Sequence, residues 1–392
     1  MKRGFLFALA SVTLCVSCGA DPAEEDEGLL RGTSSNSSYD IYNSAAYPAA
    51  TYSDNRNYGN YMGEQEIHYD IPGSVRLSVR AAGTLAGAVV SIKLGNQEFI
   101  HSGGHGAAVS YLTHGTPPSG SGNSYPSECW NPTENGSARD DCWPGATIYC
   151  GNNCGSYGNP NKNGSYGAPW HGQSSSAMNA FSSTSVQLYS DVWMAYYIPA
   201  GWKGWYGCTA RGYYDYHGIG NVNLSGVRLK KWVTVGPGSN GPRRPNVIRF
   251  KAQIIVPNEY HAQWDSVLSL YLLSNLYYQG KRVIPRSDGS YTIKDIGNKQ
   301  ESGYPQMLCN GSGSYCLGTL SMNASADQGL ASSLETRRHY LAWEQGSAYI
   351  WNIWKAKGVK GNNSRKFHLT TYVAVGSQDS VAASLTAIWN HR

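Results

Sequence analysis

Along most of the chain, apolar and polar residues alternate with a period of two. In GSVRLSVRAAG, Val75, Leu77 and Val79 fall on one face, and in NVIRFKAQIIV so do Ile248, Phe250, Ala252, Ile254 and Val256. FHLTTYVAV repeats the pattern with Phe367, Leu369, Thr371, Val373 and Val375. Successive side chains of a strand point to opposite faces, so each segment is predicted to be a half-buried β-strand. AGAVVSIKL, SVQLYSDVWMAYYI, VRLKKWVTV, SYCLGTLSM and SAYIWNIWKA are read the same way. The spacers are rich in Gly, Asn, Ser and Pro, which turns favour for their backbone angles. Helical periodicity is convincing only in QDSVAASLTAIWNHR, where Val381, Leu385 and Ile388 share a face and Asp379 is placed to cap the first turn. So much strand with one short helix predicts an all-β fold, a large antiparallel β-sandwich with long loops and a C-terminal helix. No repeat of fixed period is present, which argues against a propeller or solenoid.

The alternation breaks between about Gly103 and Val186. Four cysteines (Cys129, Cys142, Cys150, Cys154) and three tryptophans (Trp130, Trp143, Trp170) stand in this segment. Such residues have no reason to sit in a floppy chain, so an ordered excursion across one sheet face is expected. Within it, SECWNPTENGSARDDC brings together Glu128, Glu134, Asp140 and Asp141, although only 15% of the chain is charged.

The ends and the composition narrow the setting. The chain has 392 residues, and its start, MKRGFLFALASVTLCVSC, has a basic opening, a short apolar run and small residues before Cys18. That is an export signal over residues 1–17 and is too short to span a bilayer. Cleavage before Cys18 would leave a lipid anchor on that cysteine, and ordinary secretion is the alternative. The expected location is therefore the outer membrane or the extracellular space. Residues 18–62 are acidic and then Ser/Asn/Tyr-rich without periodicity, and read as a flexible tether. Residues 63–392 form one domain, expected to act as a monomer. The formal charge of +5 falls to +3 when Lys2 and Arg3 leave with the signal. This is too little to argue for nucleic acid. Of nine cysteines, seven lie beyond the signal region, and oxidising surroundings favour bridges among them. Cys309 and Cys316 are the easiest local pair, while the connectivity of Cys129 to Cys154 stays open. Cys150 and Cys154 have tolerable zinc spacing, but no second pair completes a site. No metal or other cofactor is implied.

Several stretches together resemble a known family. LAGAVVSIKLGNQEFIHSGGHGAAV, ECWNPTENGSARDD, VRLKKWVTVG with PNVIRFKAQIIVP, ESGYPQMLC with YCLGTLSM, and FHLTTYVAVGS resemble the galactose-mutarotase-like β-supersandwich family of secreted bacterial glycan-active proteins. The resemblance runs from Leu85 to the C-terminus, and its most specific part is Asn131-Pro132-Thr133-Glu134 followed by Gly136 and Ser137. It implies carbohydrate bound along a concave sheet face. A narrower likeness is to outer-membrane β-1,6-glucanases of predatory bacteria. The histidine pair and glutamate of the mutarotases themselves do not map onto this chain, so monosaccharide mutarotation is not implied. A fold by itself does not fix a reaction.

Glycosidic cleavage needs a proton donor and a second carboxylate. Glu134 and Glu128 are the first candidates, with Asp141 as a substitute; Glu301, at a position matching the family, is another. Asn131 and Arg139 are placed to hold sugar hydroxyls or orient a carboxylate. Acids in loops also cap nearby backbone N–H groups, which is the plainer role for Asp140-Asp141. In HSGGHG, the glycines between His101 and His105 argue for a turn rather than a metal-binding helix, leaving His105 as a sugar contact or a packed histidine. With 29 Tyr and 12 Trp against 6 Phe, amphipathic rings are abundant. Such rings stack on sugar C–H faces, although strand packing accounts for most of them. Trp130 and the loop residues Trp202, Trp205 and Tyr213 are the candidate platforms. These features predict an exported glycoside hydrolase acting on a neutral β-glucan. Two rivals stand beside it. One is a polysaccharide lyase using Tyr149, His105, Arg139 and Asn131, and the other is a non-catalytic glycan-binding surface protein.

Overall fold

The computed structural model describes residues 64–391, except 84–85, 101–108, 117–127, 131–176, 196–223, 238–243, 257–259, 274–275, 323, 328, 345–346 and 362–364. The first described elements are β1 (Glu64–Asp70), β2 (Arg76–Ala82), β3 (Ala88–Leu94) and β4 (Gln97–Glu98). Next come β5 (Ser110–Thr116), β6 (Glu128–Trp130), β7 (Ala177–Ser183), β8 (Gln187–Ala195), β9 (Leu224–Val235), β10 (Val247–Ile255) and β11 (Tyr260–Leu272). Shorter strands follow: β12 (Gln279–Pro285), β13 (Tyr291–Asp295), β14 (Gln300–Ser302), β15 (Gln306–Cys309), β16 (Cys316–Ser321) and β17 (Ser325–Ala326). The long strands β18 (Ser333–Glu344), β19 (Ser347–Lys360) and β20 (Lys366–Gly376) lead into α1 (Gln378–Trp389).

These strands form three antiparallel sheets. The first runs β1-β2-β3-β4. The second runs β13-β12-β15-β16-β20-β10-β9-β8-β7, with β17 beside β20. The third runs β14-β18-β19-β11-β5-β6. Single bridges, Val89 to Val109 and Ile100 to Leu272, tie the four-stranded sheet to the six-stranded one. Both face the inner side of the ten-stranded sheet.

The core between the layers is filled by the alternate residues that the sequence pattern marked. Ile248, Phe250, Ala252 and Ile254 of β10 and Phe367, Leu369 and Val373 of β20 are buried against Trp264, Leu268, Ile350 and Trp354. Removing each such side chain from water contributes roughly 1.5–3 kcal/mol. Across the layers, Trp264 stacks on Phe367 at 6.4 Å and the Ser321 hydroxyl meets Asn352 Oδ1 at 3.0 Å. The disulfide Cys309–Cys316 forms as expected, joining directly opposed residues of β15 and β16.

Some expectations are corrected. Val75 is 45% exposed because β2 begins only at Arg76, while Leu77 and Val79 are buried. The cap of α1 is Ser377, whose hydroxyl accepts the Ser380 N–H, and Asp379 sits in the first turn, where its charge suits the helix dipole. The supposed loop from Gly103 to Val186 contains three strands among its described residues, β5, β6 and β7, and β5 is an interior strand of the six-stranded sheet. The export signal and the tether lie outside the described residues. Among the described residues, no helix is long and apolar enough to cross a membrane.

Candidate functional site

The outer face of the six-stranded sheet, turned away from the core, carries the strongest concentration of chemistry. Residues opposite one another in antiparallel strands share a face. Register therefore lines up Glu301, Tyr340, Trp351, Ser269 and Ser110 across five strands. Tyr349 and Tyr271 form the neighbouring pair on the same face. The rings make a continuous floor: Tyr349 to Trp351 at 4.8 Å, Tyr340 to Trp351 at 5.7 Å, and Tyr271 to Tyr349 at 5.5 Å. The alternate residues of β19, Ile350, Asn352 and Trp354, point the other way and are buried in the core.

Glu301 borders this floor. Its carboxylate accepts from Arg338 Nη1 at 2.9 Å, and Arg338 Nη2 lies 3.5 Å from Glu335. In a regular strand, positions three apart face opposite sides. A bulge between Glu335 and Arg338 inserts one extra residue, which brings both side chains to this face.

A second charged row lies further along the strands, where Glu335, Lys355, Asp265, His114 and Cys129 stand opposite one another in turn. Gln263 Nε2 donates to Asp265 Oδ2 at 2.7 Å, and His114 Nδ1 is 3.4 Å from the same oxygen. Half-buried Leu112, Val267 and Ile353 separate the two rows.

Four polar atoms on this face are buried without a hydrogen-bond partner among the described residues: Ser110 Oγ, Ser269 Oγ, Trp351 Nε1 and Asp265 Oδ1. Leaving such groups unpaired costs about 1–3 kcal/mol each, and water, a ligand or another part of the chain can supply the partner. Hydroxyl-bearing ligands supply both donors and acceptors for such a set. Among the described residues, no group of three or more His, Cys, Asp or Glu is placed to hold a metal ion.

The residues singled out from the sequence distribute unevenly. Glu301 lies at the aromatic face. Glu128 and Trp130 belong to β6, opposite Gly115 and Thr113. β6 and β14 are the two edges of the sheet, with four strands between them. At about 4.8 Å per step that is roughly 24 Å of sheet. Two carboxyl groups acting on one glycosidic bond stand no more than about 9.5 Å apart. Glu128 and Glu301 are therefore not brought together. Glu134, Asp141, His105, Asn131, Arg139, Trp202, Trp205 and Tyr213 lie outside the described residues. Sequence reasoning passed over Tyr271, Tyr340, Tyr349, Trp351, Asp265 and His114. A period-two signal for some of them exists in QWDSVLSLYL, where Trp264, Ser266, Leu268 and Leu270 alternate with Asp265, Val267, Ser269 and Tyr271.

No family model and no curated protein matches the sequence. Solved structures with a similar course of the chain include a candidate aldose 1-epimerase from Escherichia coli K12, at 8% identity and a TM-score of 0.36, covering 80% of this chain and 100% of that one. A galactose mutarotase related enzyme from Lactobacillus acidophilus aligns at 8% identity and a TM-score of 0.34, covering 80% and 99%. A Synechocystis sp. PCC 6803 protein gives 8% and 0.37, covering 80% and 96%. The fold itself defines the class as a large antiparallel β-sandwich.

Proposed function

We propose that the protein is an exported carbohydrate-active protein, a glycoside hydrolase of neutral β-glucan, with the outer face of its six-stranded sheet as the sugar platform. The observation that carries this reading is the run of Tyr271, Tyr349, Trp351 and Tyr340 rings beside buried, unpartnered Ser110 Oγ, Ser269 Oγ and Trp351 Nε1. Rings of this kind offer flat apolar faces to sugar C–H groups, and the orphaned atoms match sugar hydroxyls. The charges on the face are of both signs: Glu301, Glu335 and Asp265 stand among Arg338, Lys355 and His114. That balance suits a neutral glycan.

In the hydrolytic form of the proposal, Glu301 or Asp265 acts as the acceptor carboxylate. The proton donor comes from the segment after β6 that begins Asn131-Pro132-Thr133-Glu134, with Glu134 first and then Asp141. The finer reading, a β-1,6-glucan cleaved by an enzyme anchored through Cys18, rests on the resemblance and the export signal. The test is the product profile from neutral and acidic polysaccharides with wild type, Glu301→Gln, Glu134→Gln and Trp351→Ala. New reducing ends from a neutral glucan, lost in Glu134→Gln while binding persists, support the hydrolase. Unsaturated ends absorbing in the near ultraviolet replace it with a lyase. Binding without products, weakened in Trp351→Ala, leaves a glycan-binding protein. Neither binding nor products ends the proposal.

A further inference from the structure

The strand ends around the Cys309–Cys316 bridge carry exposed rings that the sheet-face platform does not use. Tyr278 is 49% exposed, Tyr315 40% and Leu276 39%. Register gathers the two tyrosines. Cys309 of β15 stands opposite Gln279 of β12 on one side and Cys316 of β16 on the other. Tyr278 precedes Gln279, Asn310 follows Cys309 and Tyr315 precedes Cys316, so the antiparallel strands bring all three to the same end. Two strand steps of ~4.8 Å set the backbones of Tyr278 and Tyr315 about 10 Å apart, with Asn310 between them. Leu276 stands beside Tyr278 in a turn whose Leu276 and Tyr277 N–H groups donate to the Leu273 carbonyl.

This tip is held stiff. The disulfide joins β15 and β16 at its base. Tyr278 N–H donates to the Cys309 carbonyl at 3.1 Å, Asn310 N–H to the Tyr315 carbonyl at 2.9 Å, and Tyr315 N–H to Asn310 Oδ1 at 3.1 Å. The Tyr278 hydroxyl rests over Gly311, where an added Cβ would collide with it, and Gln279 Nε2 donates to the Gly311 carbonyl at 3.2 Å. Tyr315 meets Phe99 edge-on at 6.4 Å, and Phe99 stacks on Tyr277 at 5.7 Å. Rings fixed before binding lose little freedom when a ligand arrives.

We propose that this disulfide-pinned tip is a second carbohydrate-binding surface, taking a neutral polysaccharide on the rings of Tyr278 and Tyr315 and the hydroxyls of Ser312 and Ser314. Composition selects this occupant. Residues 273–279 and 310–316 contain no charged side chain. The charges that border them are of both signs: Lys93 stands opposite Glu98 in the hairpin whose Gln97 donates to the Tyr277 hydroxyl, and Asp379 follows Gln378, which lies against Gly313. That leaves no cationic excess for a phosphate backbone or an anionic lipid surface. Leu276 is the one exposed aliphatic side chain among the described residues of these two stretches, too little apolar area to enter a bilayer. Tyrosine rings, apolar on the face and polar at the tip, match the C–H and hydroxyl surface of a sugar, and the exposed Ser312 and Ser314 hydroxyls add further polar groups. None of these residues belongs to the six-stranded sheet, so the tip binds independently of the platform proposed above.

The test is native electrophoresis of the full chain through gels cast with a soluble β-1,3-glucan or β-1,6-glucan. It compares wild type, Trp351→Ala, the Tyr278→Ala/Tyr315→Ala pair and the triple variant. Wild type is retarded equally at low and high salt, and Trp351→Ala keeps a retardation that the triple variant loses. The tyrosine pair weakens the residual binding of Trp351→Ala about tenfold with an unchanged melting temperature. Tyr278→Phe/Tyr315→Phe, which retains both rings, keeps most of the binding and guards against a folding defect in the alanine pair. Failure of the platform reading looks different: retardation lost with the tyrosine pair but indifferent to Trp351→Ala. No retardation of wild type, its complete loss in Trp351→Ala alone, or a triple variant retarded like Trp351→Ala overturns the proposal. So does binding confined to anionic vesicles, or self-association that the tyrosine pair abolishes without any glucan binding.

Discussion

Lys231 Nζ donates to the Gly87 carbonyl oxygen at 2.8 Å inside the core, where the side chain is 2% exposed. One carbonyl replaces little of the water that an ammonium loses on burial, so desolvation holds the amine down to about 7.

This lowered value makes stability depend on pH. Between about 7 and about 10.5 the unfolded chain binds a proton at this lysine and the folded chain does not. Stability therefore rises with pH across that window, by at most ~1.4 kcal/mol per pH unit. Urea unfolding midpoints measured from pH 7 to 9.5 should climb for wild type and stay flat for Lys231→Met, which should also be the more stable protein at pH 7. A wild-type midpoint indifferent to pH would refute the assignment.

His339 couples the two large sheets without any charge. Its Nε2 accepts the Ser321 N–H at 2.8 Å, and its Nδ1, carrying the proton, is 3.2 Å from the Ser302 carbonyl. His339→Leu removes the partner of the buried Ser321 N–H and of the half-buried Ser302 carbonyl and should cost about 2–5 kcal/mol. His339→Gln, which retains a donor and an acceptor, should recover part of that loss in chemical denaturation.

The seat of α1 depends on a missing side chain. A Cβ at Gly318 would lie 2.7 Å from Val381 Cγ1 and 2.9 Å from both Leu385 Cδ1 and Met307 Cβ. Gly318→Ala should destabilise by about 1–3 kcal/mol through overpacking. Adding Val381→Ala removes one of the clashing atoms, so the double variant should lose less than the two single losses combined. Simple additivity in thermal unfolding would count against this packing.

Trp351 stacks on Tyr349 and meets Tyr340 in the floor of the proposed glucan site. Trp351→Ala should raise Kd for a bound neutral glucan about tenfold, near 1.4 kcal/mol, by calorimetry. Phe at this position keeps a ring but no N–H, and should fall between the two.

β10 and β20 were legible because each has one clearly apolar set: Ile248, Phe250 and Ile254, or Phe367, Leu369 and Val373, against polar neighbours. β11 was not. Its outer face carries Val267 and Tyr271 and its inner face Ser266, so neither side reads as purely polar or apolar. β5 was hidden in the same way, since SYLTHGT places Thr113 inward and Leu112 outward. The site suffered most. SAYIWNIWKA reads plainly as a strand, but both of its faces are rich in rings and aliphatics. Only packing decides that Trp354 enters the core while Trp351 joins the platform. The bulge that brings Glu335 and Arg338 to one face leaves no mark in the residue pattern.

The sequence by itself determined the antiparallel sandwich, the terminal helix with Val381, Leu385 and Ile388 inward, and the Cys309–Cys316 bridge, because period, turn composition and short loop closure are local properties. Tertiary structure alone decided strand order. Order is set by how non-local faces bury one another, and it places β6 and β14 at opposite edges and gathers rings of β11, β18 and β19 into one aromatic floor.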